Sequence, residues 1–184
     1  MLNQQAEPEK RMYTVEDWEK LPEYPKFELY DGEPVMLAQP SFEHQEIVVA
    51  IGAKLRNGIK NGPCRIAVEP SVRLNKRKNS VFIPDIAVVC DPKKITTNYV
   101  VGAPDLVVEI LSPSTAARDR VLKLNAYRDA GVREYWLVNP VFKTVDVFFW
   151  EESPVAKLYN DGDKIKVSIF DDFIVDLGEV FTST

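Results

Sequence analysis

The sequence predicts a mixed fold class, α/β or α+β, with one central mixed β-sheet flanked by helices. The first observation is helical periodicity in two long segments. The second is a set of short apolar runs, the clearest being "VFIPDIAVV", "PDLVVEILSPS" and "EYWLVNP". A chain of 184 residues is long enough for a single self-sufficient core. We therefore expect one domain over residues 13–184, after a disordered lead-in over residues 1–12.

The N-terminal third reads as a short helix, a hairpin and a long helix. Thr14 can cap the helix over "TVEDWEKL", with Asp17 at the reciprocal position. The segment "FELYDGEPVML" has a DG turn between apolar arms, which predicts a β-hairpin. Ser41 is a suitable N-cap for the long helix, and Asn61-Gly62 can end it. The apolar residues that recur at helical spacing within it are Ile47, Ile51, Leu55 and Ile59.

The rest of the chain alternates strands with one more helix. A helix is predicted from about 116 to 130, ending at Gly131, and Pro140 stops the strand that follows. Strands are predicted near 64–69, 71–74, 81–89 and 105–111, then in "EYWLVNP", "TVDVFFW", "AKLYNDGDKIKVSIF" and "FIVDL". The last three segments alternate in short runs, which predicts an antiparallel C-terminal part. The apolar "EYWLVNP" and "TVDVFFW" strands are candidate edges or faces for self-association.

Composition excludes some classes of protein. Hydrophobic residues make up 45% of the chain and charged residues 28%, as in ordinary globular proteins. No segment approaches the roughly 18 apolar residues of a membrane span, so we expect no membrane association and a cytoplasmic protein. Cys64 and Cys90 form no CxxC motif and have no histidine cluster nearby, so neither a disulfide framework nor a structural zinc site is predicted.

The net charge of −5 is unevenly distributed. Residues 1–35 carry four Lys/Arg and nine Asp/Glu, and residues 141–184 carry the same numbers. Residues 36–140 carry fifteen Lys/Arg and ten Asp/Glu, so the central part is basic. This pattern allows phosphate contacts in the centre, although solvated flanks would explain it as well.

Two acids interrupt apolar runs where an unpaired carboxylate would cost several kcal/mol, on the order of 3–5. Asp85 lies within "VFIPDIAVV" and Glu109 within "PDLVVEILSPS". Two acids on neighbouring strands can converge on a hard divalent cation such as Mg²⁺, which would offset their burial. The alternative is that either acid pairs with an arginine or caps backbone amides.

Lys123 and His44 are the other candidates. Lys123 lies on a partly apolar helix face after the strand that carries Glu109, so it can point back toward that strand and stabilise a phosphorane. It can equally be a snorkelling surface lysine. His44 shares the inward side of the long helix, where it is either functional or a satisfied core residue.

These residues carry a family resemblance. The segments "IPDIAVV" and "GAPDLVVEILSPSTAARDRVLKLNAYRDAGVREYWLVNP" resemble the cyanobacteria-rich bacterial family of putative restriction endonucleases, within the PD-(D/E)xK nuclease superfamily. "ELYDGEPV" and "SFEHQ" are similar to its N-terminal half. The resemblance runs from about Phe27 to Pro140. It implies a restriction-endonuclease-like fold and metal-dependent hydrolysis of DNA.

The resemblance also implies the site. Its metal positions would be Asp85, Glu109 and Ile110, binding Mg²⁺ or Mn²⁺. The superfamily lysine should fall at position 111, which is Leu111 here, and Lys123 would replace it from the following helix. His44, or Glu43 or Glu46, would take the place of an acid near the metal.

The resemblance further implies a DNA partner and a homodimer. "NKRKN", Arg118, Arg120, Arg128 and Arg133 could contact phosphates, or simply be solvated. Asp105 reads as a strand-start cap or a salt-bridge partner, and Glu69 could line the site. The competing hypothesis is a catalytically silent nucleic-acid-binding or protein-interaction module on the same fold.

Overall fold

A computed structural model describes residues 11–59, 62–74, 79–112 and 116–182, with the backbone alone for 116–120. The helices are α1 (Val15–Trp18), α2 (Phe42–Gly58), α3 (Ala116–Ala130) and α4 (Gly178–Phe181), with a 3-10 turn at Pro92–Lys94. The first eight strands are β1 (Phe27–Tyr30), β2 (Glu33–Met36), β3 (Arg65–Val68), β4 (Val72–Arg73), β5 (Val81–Phe82), β6 (Ile86–Val89), β7 (Val100–Val101) and β8 (Leu106–Ile110). The last five are β9 (Glu134–Asn139), β10 (Thr144–Phe149), β11 (Lys157–Asn160), β12 (Lys164–Lys166) and β13 (Ile174–Asp176).

The strands form two larger sheets and a small hairpin. The six-stranded sheet has the order β11-β10-β9-β8-β6-β3, and the five-stranded sheet has the order β2-β1-β5-β4-β7. β8 and β9 are parallel, joined through α3, whereas β6 pairs antiparallel with β8. Parallel and antiparallel pairs thus occur in one sheet flanked by helices, which confirms the mixed fold class. The predicted single sheet is, however, divided in two.

The central strands of the six-stranded sheet, β6, β8 and β9, are buried on both faces. Leu106, Val108 and Ile110 of β8 pack in one core with α2 and the C-terminal elements. Val107 points to the other core, which includes Tyr127 of α3 and Phe82 of β5. Because strand residues alternate between faces, Glu109 lies on the Val107 side, where α3 packs.

Local signals place several element boundaries. Thr14 and Asp17 form the predicted capping box of α1, and the side chain of Ser41 caps α2 by accepting from the amide of His44. Asp31 and Gly32 have positive φ values of 45° and 88°, as the DG turn requires. α2 ends at Gly58, earlier than predicted, and Asn61 lies outside the described residues. Residues 1–10, which make up most of the predicted lead-in, and residues 113–115 lie outside them too.

Three predictions about strands and cysteines were wrong. The predicted strand 81–89 breaks at Pro84, because proline lacks the amide a ladder needs, and β5 and β6 then join different sheets. β9 and β10 are interior strands rather than edges, since each is paired on both sides. Cys64 and Cys90 form a disulfide: β3 and β6 pair Arg65 with Val89, so the two cysteines lie opposite each other.

Candidate active site

Asp85 and Glu109 meet because β6 and β8 are antiparallel neighbours. Their register pairs Ile86 with Val108, so the next position along brings Asp85 beside Glu109. The Asp85 carboxylate Oδ2 accepts a hydrogen bond from the amide of Ile110 at 2.6 Å. Its side chain is 15% exposed. This contact fixes Asp85 against the strand that carries Glu109.

Glu109 is held by two side chains from α3. Lys123 Nζ lies 3.2 Å from both carboxylate oxygens of Glu109. Tyr127 Oη donates to Glu109 Oε1 at 3.1 Å. Residues four apart lie on one face of a helix, so Lys123 and Tyr127 both face β8. The structure thus brings Lys123 from the helix to the strand, which is one of the two orientations that the sequence left open.

Glu28 is a site residue that the sequence analysis missed. Its Oε1 lies 2.9 Å from Lys123 Nζ and accepts a hydrogen bond from the amide of Ile83 at 2.8 Å. The side chain is only 8% exposed. The sequence does place this acid between Phe27 and Leu29 in a predicted hairpin arm. The alternation of residues in a hairpin, however, does not show which of its faces is buried.

His44 contacts the other oxygen of Asp85. Its Nε2 lies 3.3 Å from Asp85 Oδ1, and among the described residues its buried Nδ1 has no hydrogen-bond partner. The predicted inward orientation is therefore present. Glu43, the alternative on the same turn, is exposed, and Glu46 is half-buried.

The charges in this cluster perturb one another. Burial raises the pKa of Glu109 to about 8, with the charges of Asp85 and Glu28 adding to the effect and Lys123 opposing it. Burial alone would lower the pKa of Lys123, but the three carboxylates outweigh it and raise that pKa above 10.5. Lys123 therefore stays charged, and Glu109 is the group in the cluster that takes up a proton.

The two remaining groups are also shifted. Burial opposes a charged His44, but the hydrogen bond and charge of Asp85 outweigh it, so the pKa of His44 lies above 6.5. Burial beside Glu109 raises the pKa of Tyr127 well above 10, which keeps its hydroxyl protonated and donating. When all three carboxylates are ionised, their charge exceeds that of Lys123 and a protonated His44 together, so the cluster favours an additional cation or proton.

The cluster lines an open cavity of about 440 Å³. Tyr24, Leu37, Pro40, Leu111 and Leu137 give it an apolar wall. The polar and charged residues that line it are Lys26, Glu28, Gln39, His44, Gln45, Glu69, Asp85, Glu109, Ser112, Lys123 and Tyr135. A cavity of this size beside buried acids has room for part of a nucleotide chain and for water.

The other predicted residues fall at various distances from this site. Glu69 does line the cavity; its amide donates to the Asp85 carbonyl at 3.0 Å and its carboxylate pairs with Lys26. Asp105 caps Cys90 by accepting from its amide at 2.7 Å and lies 3.8 Å from Arg133 Nη1.

Arg133, one of the candidates for phosphate contacts, lies away from the cluster. It lies directly before Glu134, which pairs with Leu106. Leu106 is at the opposite end of β8 from Glu109. Arg128 is exposed and lies 3.5 Å from Asp129. Residues 75–78 of "NKRKN" lie outside the described residues, as do the side chains of Arg118 and Arg120.

The donor set suits a hard divalent cation. Asp85 and Glu109 offer carboxylate oxygens, and Ile110, which follows Glu109 in the chain, offers a backbone carbonyl that also contributes to the raised pKa of His44. The described residues hold no group of three or more His, Cys, Asp or Glu side chains arranged to hold a metal ion. Mg²⁺ typically uses only one or two carboxylates and keeps several waters, so two acids and a carbonyl fit its chemistry.

Comparison with known proteins identifies the family. The profile of the Uma2 family, described as "Putative restriction endonuclease", matches residues 14–177. The chain belongs to the Uma2 family. This confirms the predicted resemblance, which had been traced from Phe27 to Pro140.

Two relatives with similar sequences are uncharacterized cyanobacterial proteins. The Uma2 chain is 30% identical over 125 residues to the uncharacterized protein slr1290 of Synechocystis sp., covering 67% of this chain and 65% of that protein. It is 29% identical over 117 residues to sll1609 of the same organism, covering 62% of this chain and 66% of the relative. The chain therefore spans about two thirds of the length of these relatives.

A solved structure shares the fold. The crystal structure of "a putative nuclease belonging to DUF820" from Anabaena variabilis superimposes with a TM-score of 0.76 and 22% sequence identity. The match covers 92% of this chain and 97% of the other. At this identity the likeness establishes the fold of the Uma2 chain. Within the described ranges, no helix is both long and apolar enough to cross a lipid bilayer.

Proposed function

We propose that this protein is a divalent-cation-dependent endonuclease that hydrolyses phosphodiester bonds in DNA. The observation that carries the proposal is the convergence of Lys123 with Glu109 at 3.2 Å, beside Asp85, on the wall of an open cavity. Three separate elements supply these groups, and their burial costs stability, which points to a functional reason for the arrangement.

Asp85, Glu109 and the carbonyl of Ile110 would hold the cation, with Mg²⁺ the expected ion and Mn²⁺ an alternative. When bound, such an ion supplies Lewis-acid stabilisation of phosphate charge and lowers the pKa of a coordinated water. The excess of carboxylates over cations in the cluster favours this binding. The raised pKa of Glu109 means that the cation competes with a proton for this carboxylate.

Lys123 would act on the water and the phosphate. A lysine ammonium has three N–H donors. They face Glu28 Oε1 at 2.9 Å and the two oxygens of Glu109 at 3.2 Å, so a water or a phosphate oxygen would take the place of one of these acceptors. Its raised pKa keeps it charged, so it can stabilise the negative charge that develops on the attacked phosphate.

His44 would orient Asp85. Through Nε2 it restrains Oδ1 while the amide of Ile110 restrains Oδ2, so the carboxylate has little freedom to rotate. An oriented ligand loses less entropy when it binds a cation. We assign His44 this positioning role in the proposed reaction.

DNA is the substrate class that the family description supports, and the basic central segment is consistent with it. Cleavage of both strands would be simplest for a homodimer, which stays a prediction. Cavity residues such as Lys26, with a side chain 45% exposed, are available for phosphate contacts.

The test is cleavage of supercoiled plasmid and single-stranded DNA in Mg²⁺, Mn²⁺ or EDTA. Lys123→Met and Glu109→Gln should each lower the cleavage rate by about 100-fold or more. Lys94→Met is the matched control, because Lys94 also hydrogen-bonds, to the Ala103 carbonyl at 2.7 Å, but does not line the cavity. Metal-dependent cleavage that survives in both site variants would contradict the proposal.

A second candidate is a catalytically silent nucleic-acid-binding module. It is favoured by one observation: Glu109 is already paired with Lys123 and hydrogen-bonded to Tyr127. Such a module would bind DNA in a salt-sensitive manner without turnover. Binding of a labelled duplex without cleavage in either metal, with no change in melting temperature on adding Mg²⁺, would favour this candidate.

A further inference from the structure

We propose that Glu28 is a positioning residue for Lys123, holding its ammonium where DNA cleavage requires it. This inference rests on the proposed nuclease function. It concerns a residue on the N-terminal hairpin, in a different sheet from Asp85 and Glu109.

The fold fixes the direction and the hydrogen bond of the Glu28 side chain. Leu29, its neighbour on β1, packs with Val15 and Val81 in a small core, so Glu28 faces the opposite side of the strand. There its Oε1 accepts from the amide of Ile83 at 2.8 Å. This hydrogen bond anchors the carboxylate next to the Pro84-Asp85 segment.

The anchored carboxylate attracts the lysine. Glu28 Oε1 is 2.9 Å from Lys123 Nζ, whereas the nearest Glu109 oxygen is 3.2 Å away. Both partners are buried, with side chains 8% and 14% exposed, so the attraction is poorly screened. The contact joins the five-stranded sheet to α3 at the cavity wall.

Glu28 therefore restrains a side chain that otherwise rotates about four bonds. Without this carboxylate, the ammonium would move fully onto Glu109 and Asp85 and compete with a cation for their oxygens. With it, the ammonium lies between two carboxylates and leaves Glu109 partly available. Oε1 of Glu28 already accepts from the Ile83 amide and lies 2.9 Å from the Lys123 ammonium. We therefore assign Glu28 no metal-binding role.

The test compares Glu28→Gln with Glu33→Gln, a matched substitution on the same hairpin at a residue that does not line the cavity. Glutamine can still accept from the Ile83 amide, so the variant keeps the anchor and loses the charge. Glu28→Gln should lower kcat about 10- to 100-fold with KM for DNA unchanged, as for supporting residues of other sites. Glu33→Gln should leave both unchanged.

A double variant separates positioning from a general structural role. If Glu28 acts through Lys123, adding Glu28→Gln to Lys123→Met should lower single-turnover cleavage no further. A second loss that multiplies the first would overturn the inference, as would an unchanged kcat in Glu28→Gln. Glu28→Asp, which retains the charge, should recover part of kcat; no recovery, with circular dichroism showing a folded protein, also counts against it. If Lys123→Met itself cleaves normally, the proposed function fails, which is a different result.

Discussion

Replacing Lys123 by methionine should destabilise the protein in a pH-dependent way. The substitution keeps most of the side-chain volume but removes the ammonium that lies 2.9 Å from Glu28 and 3.2 Å from Glu109. All three side chains are at most 14% exposed, so the remaining carboxylates would be buried without a cation. Removing one partner of a buried ion pair costs about 3–5 kcal/mol. We expect a loss of that size in the free energy of unfolding near pH 9.

The loss should be smaller at about pH 5. The pKa of Glu109 in the folded protein is raised to about 8 from 4.5, so the fold favours its protonated form. The stability that this proton contributes is fully present below pH 4.5. It is lost as the pH rises through about 8, the pKa of Glu109 in the folded protein. Lys123 lowers this pKa, so the variant should shift it higher still.

The assay is urea unfolding of wild type and variant, followed by circular dichroism at about pH 5 and about pH 9. Lys94→Met serves as the control, because its lysine makes one hydrogen bond and contacts no buried acid. Adding Glu109→Gln to the Lys123 variant should recover part of the stability at high pH. An equal loss at both pH values, or no loss, would refute the electrostatic reasoning.

Three further predictions follow from the same contacts. Tyr127→Phe removes a hydroxyl 3.1 Å from Glu109 and should cost about 1.5–3 kcal/mol in urea unfolding at about pH 9, where the Glu109 acceptor is charged. Glu134→Gln alters a buried acid that accepts from Trp136 at 2.6 Å outside the cavity, so it should lower the melting temperature while the folded protein cleaves DNA at the wild-type rate. Cleavage at limiting Mg²⁺ should rise as the pH increases through about 8, because Glu109 must lose its proton to bind the cation, and a flat or falling profile would contradict this.

Much of the architecture could be predicted because local signals agreed with the tertiary structure. The capping residues Thr14 and Ser41, the Asp31-Gly32 turn and the helix ending before Gly131 all act within a few residues of themselves. β8 was predictable as a doubly buried strand because every position in it is apolar except Glu109. Such features need no knowledge of which strands pair.

Pairing itself was harder to predict. The run from Val81 to Val89 is apolar apart from Asp85, yet Pro84 divides it between two sheets, and hydropathy does not register that division. The Cys64–Cys90 disulfide depends on the register of β3 and β6. The separation of 26 residues between the two cysteines does not reveal that register. The interior positions of β9 and β10 likewise depend on their neighbours.

The site was predictable only where a local sequence pattern revealed its residues. Asp85 and Glu109 stood out as acids within apolar runs, and the helix after β8 supplied Lys123. Glu28 did not stand out, because a charged residue in a short hairpin usually faces solvent. Its partners are Lys123 of α3 and the amide of Ile83, and no local pattern encodes such long-range contacts.

The most direct test of the central claim is metal-dependent cleavage by the full chain. Supercoiled plasmid would be incubated with wild type, Glu109→Gln and Lys123→Met, each with Mg²⁺ and with EDTA. We expect the wild type to nick the plasmid in Mg²⁺ and not in EDTA. In Mg²⁺, both variants should nick it at least about 100-fold more slowly, because each lacks a charge-stabilising group. Equal cleavage by all three proteins, or cleavage in EDTA, would contradict the assignment of this cluster as the catalytic site.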